Sequence, residues 1–226
     1  MIPVYEDNHI IIVYKESGEI VQGDKTGDTP LSDTVKDYIK QKYHKPGNVF
    51  LGVVHRLDRP VAGLVLFART SKALSRLNDM FREGQVHKEY WAITANTPTP
   101  PDGTLRHWLV RREQQNKSYA YNKQVKGAKE ALLHYHTLAR ADRYSLIEVT
   151  LMTGRHHQIR CQLATIGCPI RGDLKYGAPR SNPDGSISLL SHHIRFTHPV
   201  SGKTIDVYSP LPQERLWQKM GQLAGK

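Results

Sequence analysis

Long hydrophobic runs are missing from this 226-residue chain. Nothing approaches the roughly 18 to 20 consecutive apolar residues that a membrane-spanning helix requires. The first residues, MIPVYEDNHIIIVYKESG, put acids ahead of a short apolar run and lack a basic leader, so neither a membrane-bound nor a secreted chain is expected. Cysteine is scarce: Cys161 and Cys168 lie seven apart with no CxxC pair. That argues against a disulfide scaffold and a zinc knuckle and makes a reducing cytoplasm the expected compartment. A phosphate-binding P-loop, a GxSxG elbow and a dinucleotide-type glycine triplet between strand and helix are all absent, which disfavours kinases, P-loop enzymes and Rossmann oxidoreductases. The paired histidines, His156-His157 and His192-His193, come without HExxH or a carboxylate at ligand spacing. Neighbours in sequence are expected to point to different faces, so no metal site is expected.

Acidic residues are also in short supply: 21 Asp and Glu stand against 32 Lys and Arg, a formal net charge of +11. Such an excess suggests a polyanionic partner, most often nucleic acid. It is unevenly spread. Residues 1–50 carry six cations against eight acids, whereas 101–150 carry nine against five and 151–226 ten against four. No block of five like charges occurs, so the excess is not a basic tail. With 38% hydrophobic and 23% charged residues the composition is that of a globular chain with a sizeable core.

Periodicity predicts short strands at 9–14, 64–68, 90–94, 130–138, 144–152, 187–196 and 204–208. Helices are predicted from about Pro30 to Tyr43 with Thr29 as cap, after Thr70 or Ser71, over 156–166, and at the end with Leu216, Met220 and Leu223 on one face. Residues 96–103 (NTPTPPDG) read as a Pro-rich loop, and 111–129, rich in Lys and Arg, as an exposed excursion, a hairpin at most. Strands outnumber helices without alternating strictly with them. The expected fold class is therefore α+β, not a doubly wound sheet, in one generous domain or two small ones.

Three clusters could carry chemistry: HRLDRPVAG at 55–63, KEYWA at 88–92 and TGRHHQIR at 153–160. Asp58 sits between Arg56 and Arg59, and a carboxylate flanked by cations stays ionised, which suits a nucleophile and not a general acid. A loop salt bridge is the plain alternative. His157 and Arg160 lie three apart and share a helix face distinct from that of Ile159 and Leu163. A solvated face accounts for that pattern equally well, and Tyr90 in a strand reads first as a core residue.

The clusters in this order, with DNHIIIVYK near the start, GAKEALLHY at 127–135, GCPIRGDLKYG at 167–177 and FTHPVSGK near the end, resemble the RluA-type RNA pseudouridine synthases over nearly the whole chain. The resemblance implies the pseudouridine synthase fold, a mixed, largely antiparallel β-sheet flanked by helices in a single catalytic domain over 1–226, and isomerisation of a uridine in rRNA or tRNA, with no cofactor and no metal. It makes Asp58 the essential aspartate, Arg160 a guanidinium paired with it, and Tyr90 the ring stacked on the uracil. Arg56 becomes the residue that fills the space of the flipped base. Arg155, His157 and Gln158 join the substrate-binding set, together with phosphate contacts from Arg111, Arg112, Lys117, Lys123, Lys126 and Lys129. Departures occur at Tyr14-Lys15-Glu16, Arg59–Gly63 and Gln162. The chain begins almost directly with the catalytic pattern, so no separate S4-like RNA-binding domain is expected; the partner is RNA, no membrane is involved, and the protein is expected to be a monomer. The competing readings are a non-catalytic RNA-binding or ribosome-assembly protein of the same fold, and an RNA-cleaving hydrolase using the histidines.

Overall fold

The computed structural model describes residues 3–225. In chain order the elements are β1 (Pro3–Glu6), β2 (Ile10–Lys15), α1 (Leu31–Lys42), β3 (Gly52–Val53), β4 (Ala62–Ala68), α2 (Ser71–Arg82) and β5 (His87–Thr94). They continue with β6 (Asp102–Arg112), β7 (Lys117–Tyr121), β8 (Lys129–Arg140), β9 (Ser145–Leu151), α3 (Gln158–Thr165), β10 (Leu189–Thr197), β11 (Thr204–Tyr208) and α4 (Arg215–Leu223). The class is α+β, as the strand-rich pattern predicts; the pairing is mixed but mostly antiparallel, and the described residues form four α-helices. Among the described residues no helix is long and apolar enough to cross a membrane.

The chain packs as two compact units. The first comprises the chain up to His87 and Ser191–Ser209. Its strands run in the order β1-β2-β4-β10, with β11 on β10 and β3 on the end of β4. Ile10 and Ile12 of β2 face the same side as Leu64 and Leu66 of β4 and pack on Ala73 and Leu77 of α2. The intervening Ile11, Val13, Val65 and Phe67 are equally buried. Both faces are covered, which is why the sequence here is continuously apolar instead of alternating. Thr70 caps α2 by accepting the Ala73 N–H. For α1 the expected cap is displaced: Pro30 is the cap residue and makes no side-chain bond. The first helical N–H groups, of Leu31 and Ser32, donate instead to the carbonyls of Ile20 and Val21, so tertiary backbone contacts supply what a cap side chain would.

The second unit, Lys88–Leu190 with the chain from Pro210 onward, orders its strands β5-β9-β8-β6-β7, every pair antiparallel. Strand β6 starts inside the predicted Pro-rich loop, and β6 and β7 form the hairpin suggested for the basic excursion. Helix α3 packs Cys161 against Leu109, Ala131 and Tyr176. In α4 the buried face is Trp217, Met220 and Gly221, whereas Leu223, expected on one face with Leu216 and Met220, is half exposed. The charge is partitioned between the units: the second holds 18 of the Lys and Arg residues against 9 acids, the first 14 against 12.

Candidate active site

In the first unit the HRLDRPVAG segment is held by backbone contacts. The Val61 N–H donates to the Asp58 carbonyl, closing a turn around Arg59 and Pro60. Lys15, at the end of β2 and fully buried, donates through Nζ to the carbonyls of Glu16, Arg59 and Val61 at 3.0, 3.1 and 2.7 Å. Burial pushes its ammonium down to about 8, against the pull of the Glu19 and Asp58 charges. The Gly18 N–H also donates to the Arg59 carbonyl and the Ser17 hydroxyl to that of Pro60. Arg59 is spent on the same tether, reaching Asp28 at 2.7 Å and Thr26 at 2.9 Å. His55 accepts the Leu66 N–H at Nε2 and stacks on Phe81, 5.1 Å between centroids, so this histidine anchors the loop to β4 and α2. Arg56 is exposed and makes no ion pair or hydrogen bond among the described residues. A surface cavity of this unit, about 450 Å³, is lined by residues including Gln85, His87, His193 and Arg195 and by no residue of the HRLDRPVAG segment.

In the second unit, Tyr90 is a buried residue of β5, opposite Val149 of β9. The TGRHHQIR cluster makes a tight turn into α3. Gln158, expected at the substrate, has both ends of its amide engaged: Oε1 accepts from Thr153 Oγ1 and the Arg155 N–H, and Nε2 donates to the Leu132 carbonyl. Arg155 is exposed and donates through Nε to the Glu130 carbonyl. His157 is the cap residue of α3 in the left-handed region, φ 54°. That twist folds His156 and His157 face to face, centroids 3.7 Å apart, contrary to the expectation that sequence neighbours diverge. His157 and Arg160 are both buried, so the face they share is not solvated.

Arg160 makes a two-pronged ion pair, Nε to Asp173 Oδ2 at 2.6 Å and Nη2 to Oδ1 at 2.8 Å. His157 Nδ1 lies 3.0 Å from the Tyr176 hydroxyl, which accepts the Ser118 N–H. Burial first, then the charges of Arg160, His156, Lys175 and Arg111, push the His157 ring down to about 2. It therefore stays neutral in the fold while the unfolded chain takes up a proton below about 6.5. The unfolded state binds more protons in that window, so stability is lost as pH falls from about 6.5. The urea midpoint is expected to drop between pH 7 and pH 5, and to drop less in His157→Gln.

The family model for RNA pseudouridylate synthase matches residues 9–165, a span that encloses all three clusters. The chain belongs to this family. Among relatives, an uncharacterized RNA pseudouridine synthase of Synechocystis sp. is 32% identical, over 92% of this chain and 65% of its own length. A mitochondrial pseudouridylate synthase of Xenopus tropicalis is 31% identical, over 92% of this chain and 76% of its own. A tRNA pseudouridine synthase C of Pectobacterium carotovorum is 30% identical; this chain spans 57% of it. The solved structure of human RNA pseudouridylate synthase domain containing 4 superposes over 99% of this chain and 92% of its own, with TM-score 0.80 at 22% identity, and shows the shared fold. Two further candidates, Lys15 and Asp173, lie inside stretches that carry the family resemblance, DNHIIIVYK and GCPIRGDLKYG, but nothing at short range marks the contacts they make. Lys15 follows the predicted strand 9–14, and Asp173 lies in a turn-rich stretch thirteen residues past Arg160.

Proposed function

We propose that this protein isomerises a uridine within RNA to pseudouridine, and that Asp58, Tyr90 and Arg160 carry the reaction. The family match across all three clusters is the observation that carries the reading. The N1–C1′ bond of the uridine breaks, the detached uracil turns over and C5 bonds to C1′; C5 then loses its proton and the freed N1 takes one up, so that product and substrate hold the same atoms. Asp58 is the essential carboxylate, on a loop whose backbone is tethered at Asp58, Arg59, Pro60 and Val61. Tyr90 offers a ring to stack on the uracil and a hydroxyl for the C5 proton. C1′ is out of reach in a stacked helix, so the target nucleotide flips out, at a cost of a few kcal/mol, and the exposed Arg56 takes the vacated space.

The RNA is ribosomal or transfer RNA, in keeping with relatives named for one or the other. Its phosphates lie along the second unit, where the cationic excess concentrates and where Arg111, Arg112, Lys123, Lys126 and Lys129 are exposed on and beside the β6–β7 hairpin. Phosphate contacts position RNA without reading sequence. Replacing one of these cations with glutamine is expected to weaken binding uniformly across RNAs and to lower the salt slope of log K by about one, read by filter binding at several salt concentrations.

The activity itself is tested by incubating purified protein with RNA from cells lacking the gene, then digesting to nucleosides. Pseudouridine gained in step with uridine lost, with strands intact, supports the reading; strand scission, or RNA retention with no new pseudouridine, overturns it.

A further inference from the structure

Arg160 and Asp173 are both nearly inaccessible, at 5% and 1% exposure. Two charges withdrawn from water this far hold only if each is closely matched, and the fork from Nε and Nη2 onto the two carboxylate oxygens is such a match. The segment bearing Asp173 is built around that contact. Gly172 has φ +86°, and a Cβ there would lie 2.7 Å from Asn182 Cγ and from the Ser186 carbonyl oxygen, so glycine alone fits. The Asp173 N–H donates to the Ile170 carbonyl, and the Asp173 carbonyl accepts from Tyr176 and Ala178. One 3-10 turn, Leu174–Tyr176, then ends on Gly177 at φ +98°. The same turn carries the Tyr176 ring to the guanidinium, centroid to Cζ 5.2 Å.

We infer that Asp173 is a positioning residue for Arg160: it sets the plane and rotation of the guanidinium before RNA arrives, with the Tyr176 ring as the surface against which that plane rests. This rests on the reading above in which Arg160 is one of the three residues that carry the reaction. A buried arginine has many rotamers to lose, and a group that must meet developing charge in one orientation gains most when that freedom is removed in the free enzyme. The two-donor grip leaves the direction of Nη1 determined by Asp173.

The test is single-turnover pseudouridine formation by the full chain carrying Asp173→Asn or Asp173→Glu, each alone and combined with Arg160→Gln. Asp173→Asn is expected to slow the chemical step about 10- to 100-fold, with RNA affinity within about twofold of wild type. Asp173→Glu, keeping the charge, is expected to recover part of the rate. On the Arg160→Gln background Asp173→Asn is expected to cost less than about twofold, because its effect passes through the missing guanidinium. Equal losses with and without Arg160 would mark Asp173 as a general support of the fold and overturn the assignment, as would a folded Asp173→Asn protein with the wild-type rate. If Asp173→Asn does not fold, the glutamate variant on both backgrounds decides between the same two outcomes. A wild-type protein that makes no pseudouridine overturns the activity and this assignment together, whereas an active wild type with an indifferent Asp173 overturns only the second.

Discussion

Asp58→Asn is expected to abolish pseudouridine formation, with a loss of about 10⁴-fold or more in single-turnover rate. The loop is held by main-chain groups: the Asp58 carbonyl accepts from Val61, and Lys15, Ser17 and Gly18 bind the carbonyls of Arg59, Pro60 and Val61. Asparagine has the same shape and leaves those tethers in place, but it cannot supply the carboxylate that the proposed reaction needs at C1′ or at the C2′ proton. RNA affinity is expected to stay near wild type, since the cationic excess proposed to hold the phosphates is concentrated in the other unit. Nucleoside mass spectrometry of RNA incubated with each protein, beside a binding isotherm, separates the two effects. Appreciable activity in the asparagine protein would remove Asp58 from the reaction and favour a binding role for the fold.

Gly63→Ala is expected to be the most damaging single methyl group in the first unit. Gly63 opens the buried part of β4 at φ +117°, a region that side chains rarely adopt. A Cβ there would sit 2.6 Å from the Ser191 nitrogen and closer still to its carbonyl oxygen. The obstacle is backbone of β10, not the movable end of a side chain, and Ser191 is itself tied to β4 through its hydroxyl and the Leu64 carbonyl. Strain at a positive φ and overpacking each cost about 1 to 3 kcal/mol, so a combined loss of about 3 kcal/mol or more is expected, with a fall in melting temperature on the order of 10 °C. Because Gly63 lies two residues after Val61, whose carbonyl binds Lys15, pseudouridine formation is expected to fall even below the melting transition. A Gly63→Ala protein with unchanged melting behaviour would show that β4 and β10 separate more readily than their contacts imply.

Much of the architecture is local and so was legible. The HIIIVY run, the strand after HRLDRPVAG and the Thr70-capped helix that follows all depend on residues two to four apart. Strand β6 was not legible over most of its length, since its burial pattern carries many exposed positions and its start lies among prolines. It is a strand because β8 pairs with it from Asp102 to Leu109 and β7 from Trp108 onward. The left-handed His157 is similar: nothing in the HHQIR string announces the twist that stacks His156 on it and buries both His157 and Arg160.

The sequence alone determined the α+β class, the family, the three clusters and a basic excess that lies after residue 50, because these are carried by residue identity, order and short-range spacing. Only the tertiary structure decided that Lys15 is fully buried with its ammonium on carbonyls 44 and 46 residues away, that Gly63 must be glycine because β10 passes against it, and that Arg160 is gripped by Asp173. Partners brought together by chain closure leave no periodicity behind, since the acid that meets a buried guanidinium is chosen by where a turn ends in space.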